Sequence, residues 1–466
     1  MGEAYPIESV ATKHVRTQHR VIQSAIPHPD SVALLKRLRE IEPLCMEGQP
    51  PIVWDRGEGF YVFDAHGNQW LDFSSGVLIT NAGHARKPMV DAITRIAQHG
   101  LLTSYCFPHR LRAELVAALQ KVAPRRDDKV MLLSTGSEAD ELCIKLSREH
   151  ARRSGKTNPV FVTFVNAFHG RTLGSQLAGG VPSLKEWIGY RDEHFIQVPF
   201  PDGGIRSNPR DNDFAAFERT LREQNIHPDR VCGVMTETYQ GGNSSFAPPE
   251  YMQLLRRWCD KHDAILIMDE VQSGFGRTGK FWGFEHYGIT PDLIACGKGI
   301  SGALPLSAVI GRKDLMDQFP PGSMTSTHSG NPVCCASALA SLQIIQNEKL
   351  VENAEKMGQI MQNECARIQK KFADVIVAHH GKGLVASLHC VTSGGGNKEP
   401  DAKLAWLVVI EAVRRGVMLF APVGFAGASV KLCPPLLITE DAVREGMAVI
   451  EESFEHVLQT RHHASV

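Results

Sequence analysis

Two short runs carry residues that could do chemistry together. Ala264–Met268 is a continuous apolar stretch that runs straight into Asp269 and Glu270, and Leu293–Cys296 is another that runs into Gly297-Lys298-Gly299. A carboxylate at the end of a buried strand needs a cationic or donor partner, because burying it alone is costly. It serves as a helix cap, as half of a structural ion pair, or as the counter-charge of a ligand. A lysine between glycines leaves room for a bulky group to approach the backbone. Facing a cleft, its amine loses proton affinity and becomes a Schiff-base nucleophile; on open surface it is an ordinary solvated lysine.

Two further runs complete a set. In Ser134-Thr135-Gly136-Ser137-Glu138 a strand gives way, through a glycine turn, to a helix. Its free N–H groups and positive dipole end suit a phosphate, or simply a capped helix. In Asn166-Ala167-Phe168-His169-Gly170-Arg171-Thr172, Phe168 lies just past an apolar stretch and is either core or a lid on a planar ring. Each run alone has an ordinary structural explanation. Together they supply a phosphate cradle, a stacking ring, a carboxylate for a pyridine nitrogen and a reactive amine, which are the groups that bind and tune pyridoxal 5′-phosphate.

The elements that must position these residues follow from the hydrophobic pattern. Apolar strands are predicted at Lys129–Ser134, Val160–Phe164, Val231–Thr236, Ala264–Met268, Leu293–Cys296 and Ser307–Ile310, with helices at Leu111–Val122, Glu138–Arg152, Phe214–Glu223 and Pro249–His262. Strands alternating with helices indicate an α/β fold whose mostly parallel sheet is buried on both faces. Such sheets bind ligands at the carboxyl ends of their strands. Before this region, Tyr61–Phe73 reads as a β-hairpin around His66-Gly67-Asn68, with helices near Ser31–Glu40 and Lys87–Gln98. Residues 337–466 read as helices with a few strands. The expected division is 1–80 as the N-terminal part of a small α+β domain, 81–336 as the large domain, and 337–466 as the remainder of the small one.

Bulk composition adds exclusions. A chain of 466 residues exceeds a single small core. Lys+Arg 50 against Asp+Glu 51 leaves a net charge of −1, so no global basic field marks a nucleic-acid or membrane-surface protein. The 11 cysteines are irregularly spaced and form no C-x-x-C, a pattern of reduced thiols in the cytoplasm. Residues 1–26 lack an apolar core of the secretory kind, and no run is long and apolar enough for a transmembrane helix.

The same residues resemble the class III aminotransferases, the ornithine/γ-aminobutyrate type of pyridoxal-phosphate fold type I. The matching runs are Leu71–Gly76, Thr135–Ala139, Phe168–Thr172, Glu237–Gly241, Met268–Gly279 with its Asp-Glu-Val-Gln-Ser-Gly-Phe-Gly-Arg-Thr-Gly sequence, Lys298, Gly330-Asn331-Pro332 and Pro434-Pro435-Leu436. Asp269 precedes Lys298 by 29 residues, as in the family. The resemblance implies a large domain with a mostly parallel seven-stranded sheet, a smaller α+β domain built from both termini, and a homodimer with shared active sites. It implies that Lys298 carries the cofactor as a Schiff base and shuttles the substrate proton, while Asp269 pairs with the pyridine nitrogen. Gln272 would stand near the phenolic oxygen and Phe168 over the ring, with His169 beside it. Gly136 and Ser137 would hold the phosphate, together with Thr327 from the neighbouring subunit. Glu237 and Arg171 would lie on the substrate side, and the substrates would be an amine donor and a keto-acid acceptor.

Two departures stand out. Lys431 occupies the place before Pro434-Pro435-Leu436 where many members have an arginine, and a lysine cannot reproduce a bidentate carboxylate clamp. Either carboxylate binding is weaker, or the recognised group is something else, such as an amino-alcohol, an ω-amine or a phosphonate. Thr238 replaces the family's proline after Glu237. A lyase eliminating a β-substituent or an amino-acid racemase would use the same scaffold, and a non-catalytic module is the remaining alternative. His379-His380 and His462-His463 read as loop and tail residues with no metal role. Gly394–Lys398 reads as a flexible loop, not a P-loop. Tyr105-Cys106-Phe107 is either packing or, by family analogy, part of the site's mouth.

Overall fold

The computed structural model describes residues 4–202, 212–393 and 398–464, with only the backbone of 462–464. Residues 203–211 and 394–397 fall outside it, so most of Gly394–Lys398, read above as a loop, and the side chains of His462-His463 lie outside the described residues. The chain divides into two compact units: residues 87–349, and residues 1–86 joined by 350–466.

The central unit is built on a seven-stranded sheet. Its strands, numbered along the chain, are β1 (Lys129–Leu133), β2 (Val160–Phe164), β3 (Phe195–Val198), β4 (Val231–Glu237), β5 (Ile265–Asp269), β6 (Leu293–Cys296) and β7 (Ser307–Gly311). They lie in the order β1-β7-β6-β5-β4-β2-β3. β7 runs antiparallel to both β6 and β1, and the remaining pairings are parallel. The inner strands are buried at every residue, as a sheet covered on both faces requires. β3 is not among the strands read from the sequence. Phe-Ile-Gln-Val is four residues long and stands behind a polar turn, so only its pairing with β2 makes it a strand.

Helices α1 (Lys87–His99), α2 (Arg110–Lys121), α3 (Gly136–Arg153), α4 (Phe214–Glu223), α5 (Pro249–Lys261) and α6 (Pro332–Asn347) surround this sheet. α3 begins two residues before the predicted start at Glu138, because a reciprocal capping box extends it. Thr135 Oγ1 accepts from the Glu138 N–H at 3.2 Å, and Glu138 Oε2 accepts from the Thr135 N–H at 2.9 Å. The apolar face of α3, with Ala139, Leu142, Cys143 and Leu146, packs on Phe161, Met235, Ile267, Ala295 and Val309 of the sheet. α6 packs against α1 and α2, which carries the central unit on to Lys349. The boundaries therefore lie at 86/87 and 349/350, later than the 80/81 and 336/337 read from the sequence.

In the other unit, both chain ends contribute to one sheet. The hairpin Tyr61–Phe63 with Gln69–Asp72 pairs on one side with Arg56–Glu58 and on the other with Val21–Ile22, and Val417–Met418 joins Gln69–Asp72 in parallel. Trp70, fully buried, donates from Nε1 to the Val413 carbonyl at 2.7 Å and packs with Ile22, Val62 and Met418. A second sheet joins Ile376–Lys382, Val385–Cys390 and Ser429–Leu432, all antiparallel. His379-His380 thus lie on a strand and not in a loop. His379 Nδ1 is 2.6 Å from Gln369 Oε1, and His380 Nδ1 is 3.1 Å from His389 Nε2. The imidazoles are satisfied by cross-strand and strand–helix partners that sequence spacing does not disclose.

Candidate active site

The parallel register sets Glu237, Asp269 and Ala295 side by side at the carboxyl ends of β4, β5 and β6. Lys298 follows three residues after Ala295. The segments after β1 and β2 bring Gly136–Ser137 and Phe168–Arg171 to the same group, so the four runs singled out in the sequence converge.

Asp269 is 4% exposed and accepts two hydrogen bonds. One comes from His169, whose Nδ1 lies 2.7 Å from Oδ2, and the other from the Val271 N–H, 3.0 Å from Oδ1. A carboxylate surrounded by donors is a pure acceptor in its charged form. Burial works against a charge on His169, yet its bond to Asp269, and the charges of Asp269 and Glu237, lift its proton affinity above the ordinary histidine range. Glu237 is also buried and accepts from the N–H groups of Phe168 (3.1 Å) and Gly241 (2.8 Å). Burial and the charge of Asp269 raise it above the usual carboxylate range, against the pull of His169 and these two donors.

Lys298 is partly buried and has φ +45°, the left-handed region that a long side chain rarely occupies. Burial lowers its proton affinity below that of a free lysine, although Asp269, Glu237 and Asp140 pull in the opposite direction. The free amine is therefore more accessible than in water.

The capping box consumes the Thr135 and Glu138 N–H groups and leaves those of Gly136 and Ser137 at the amino end of an 18-residue helix. A Cβ at Gly136 would come within 2.9 Å of Val271 Cγ1, so a side chain there would push into the segment that follows Asp269. At Gly170, with φ +122°, a Cβ would collide with Ser137 Oγ. Ser137 Oγ accepts from the Arg171 N–H at 3.3 Å, and the Arg171 guanidinium lies 5.7 Å from the centre of the partly buried Phe168 ring. Gln272 and Glu237 both press on Gly241, where a Cβ would strike Gln272 Nε2 and come within 2.6 Å of Glu237 Oε1. Thr327 is exposed, and its neighbour Ser326 donates to Glu138 Oε1 at 3.2 Å, which holds that segment against the start of α3. Tyr105 and Phe107 are exposed and not packed in a core; the Tyr105 hydroxyl is 3.0 Å from Thr325 Oγ1.

One residue of the cluster is absent from the sequence reading. Asp140, on α3, is 2% exposed and approaches His169 and Asp269 so that one polar atom of each lies within 4.8 Å of the others. The available signal was a carboxylate beside the apolar stripe 139/142/143/146. Lys431 belongs to the other unit, where it is buried on Ser429–Leu432 opposite Ser387.

The strand-end carboxylate and lysine, the helix amino end and the aromatic run occur in the order and place that an aminotransferase needs, and similarity across the chain agrees. Residues 45–454 match the family model for class-III aminotransferases. The chain belongs to the class III aminotransferases. It is 31% identical over 410 residues to acetylornithine aminotransferase of Caldanaerobacter subterraneus, covering 87% of this chain and 95% of that one. It is 32% identical over 436 residues to 4-aminobutyrate aminotransferase GabT of Escherichia coli, covering 91% and 99%. Among solved structures it resembles ornithine aminotransferase from Toxoplasma gondii, with TM-score 0.80, 26% identity and coverage of 92% and 96%. It also resembles an (S)-enantioselective omega-transaminase from Thermomicrobium roseum, with TM-score 0.82, 26% identity and coverage of 92% and 98%. The fold is that of these aminotransferases, and the reaction is amino-group transfer. These relatives are aminotransferases and lend no support to the β-eliminating or racemising alternatives. Among the described residues, no helix is long and apolar enough to cross a membrane.

Proposed function

We propose that the chain uses pyridoxal 5′-phosphate held at Lys298 to move an amino group from an amine or amino-acid donor to a keto acid. The observation that carries this reading is the convergence of an acceptor-only Asp269, a lysine of lowered proton affinity and a helix amino end with two uncommitted N–H groups. The residues fit the cofactor's parts. Gly136 and Ser137 would hold the phosphate, Phe168 would cover the ring, Asp269 braced by His169 would face the ring nitrogen, and Gln272 would meet the phenolic oxygen. Bound there, pyridoxal phosphate supplies an aldehyde for the Lys298 amine and an electron-withdrawing ring.

The chain's own residues then do the following. Lys298, once released, would take a proton from the carbon that bears the donor's amine and return it to the cofactor's C4′ carbon. Asp269 keeps the ring-nitrogen proton in place. Glu237, carrying a raised proton affinity, closes the substrate side, with Arg171 at its edge. Thr327 would reach the phosphate of the neighbouring subunit in a homodimer. The resemblance assigns donor recognition to Lys431. Relatives named for acetylornithine, 4-aminobutyrate and 5-aminovalerate support a donor whose reacting amine lies far from its carboxylate. All 11 cysteines are free thiols, which supports a reducing, cytoplasmic setting.

The test is a single half-reaction. The loaded enzyme is mixed with one donor amine at a time, without keto acid, and pyridoxamine phosphate is measured. One equivalent per site with acetylornithine, 4-aminobutyrate or 5-aminovalerate supports the reading and names the donor. Repeated release of ammonia or phosphate without pyridoxamine phosphate refutes it.

A further inference from the structure

The mechanism above leaves unused a buried carboxyl of the Asp269–His169 cluster. Asp140 enters the site from α3, and no hydrogen bond partner stands within reach of its buried Oδ1 among the described residues. His169 Nε2, on the far side of the ring from Asp269, is buried and unpartnered as well. Two carboxyl groups within 4.8 Å of each other in a buried setting oppose each other's charge. The hydrogen bonds decide which one is the better place for a proton. Asp269 receives the His169 and Val271 donors, which stabilise a negative charge. Asp140 Oδ1 receives none among the described residues, so its anion lacks that support and has only the more distant charge of Lys298 in its favour.

The charged groups facing Asp140 come from every neighbouring element. Asp269 reaches it from β5, Glu237 from β4, Lys298 from the turn after β6, His169 from the segment after β2, and Glu141 from its own helix. Burial raises the proton affinity of Asp140 well above that of an ordinary aspartate, Asp269 and Glu237 raise it further, and Lys298 opposes them.

We propose that Asp140 is a positioning residue that stores the shared proton of a carboxyl pair with Asp269, standing as a neutral acid while Asp269 stays anionic. Its action on the reaction rests on the cofactor reading and runs through Asp269. When alkaline conditions draw the stored proton into bulk water, a second negative charge appears beside Asp269. That charge strengthens the hold of Asp269 on the ring-nitrogen proton, and so extends the pH range over which the nitrogen stays protonated.

The experiment has two arms. In the first, thermal midpoints of the cofactor-free wild type and Asp140→Asn are compared from about pH 5 to about pH 9. A group whose folded-state proton affinity exceeds its unfolded value adds a penalty that grows as pH rises toward the folded value. The variant lacks this penalty, so its midpoint is expected to gain on the wild type progressively as pH rises. A difference that does not vary with pH, or a variant that loses ground at high pH, overturns the proposal, because Asp140 is then already ionised and partnered. Asp140→Val serves the same comparison if the asparagine variant does not fold. In the second arm, the absorbance of bound pyridoxal phosphate is titrated with pH. The alkaline transition of Asp140→Asn is expected about one pH unit below that of the wild type, a tenfold loss of proton affinity. An unmoved transition overturns the coupling to Asp269. If the wild type binds no pyridoxal phosphate, the functional reading fails, while the cofactor-free arm still decides where the proton resides.

Discussion

Asp269 and Glu270 are consecutive carboxylates at the end of one strand, and the alternation of an extended chain sends them to opposite sides. Asp269 turns toward α3, His169 and Lys298. Glu270 is fully buried and accepts from the Thr238 hydroxyl, the Gly283 N–H (2.7 Å) and the Phe284 N–H (3.0 Å). Thr238, a departure from the family's proline, therefore supplies a hydroxyl to the structural acid. Burial pushes Glu270 up to about 7 in spite of these donors. The comparison teaches that a pair of acids at a strand end divides its work. One pins the 283–284 turn to the sheet, and the other is left beside Lys298.

The largest effect that would sharpen this contrast is on the reactive side. Lys298→Ala is expected to keep pyridoxal phosphate only non-covalently and to lose turnover by roughly 10³-fold, the scale of a missing general base. Steady-state rates with absorbance after gel filtration check it, and a variant with intact turnover would break the assignment. Asp269→Asn comes next, with a loss of about 10²-fold and a visible change in the bound cofactor's spectrum, since the counter-charge is gone while the shape remains.

Glu270→Gln should behave in the opposite manner. It is expected to cost roughly 1–3 kcal/mol of stability, because an amide cannot accept from three donors as a carboxylate does, while kcat stays within a few-fold. Denaturant melts beside rate measurements decide this; a large rate loss at unchanged stability would dissolve the division of labour. The pH dependence carries a definite sign. The folded-state affinity of Glu270 lies above its unfolded value, so its contribution disfavours the folded state increasingly as pH rises from about 4.5 through about 7 and then levels off. The smallest effect is expected at Gly136→Ala, which should weaken pyridoxal-phosphate affinity by about tenfold through the clash with Val271. The double variant with Val271→Ala should recover part of that loss in a cofactor-binding titration.

Much of the site was legible because its parts are local. Thr135-Gly136-Ser137-Glu138 is a capping box whatever surrounds it, and the apolar runs before Asp269 and Lys298 declare strands that end at those residues. β3 was not legible, since a four-residue edge strand is made by its pairing with β2. Nor was the strand location of His379-His380, whose partners stand 10 residues back on the preceding helix and 9 residues on, across a bulged hairpin.

The sequence by itself determined the alternating strands and helices, the chemistry-bearing runs at their ends and the membership of the family, because each depends on residues close together in the chain. Only the tertiary structure decided that Glu270 holds the Gly283 and Phe284 N–H groups, that β7 runs antiparallel among parallel neighbours, and that Asp140 meets Asp269 and His169. Those outcomes depend on register and on the packing of α3 across the sheet, where residues distant in sequence come together in a buried, weakly screened environment.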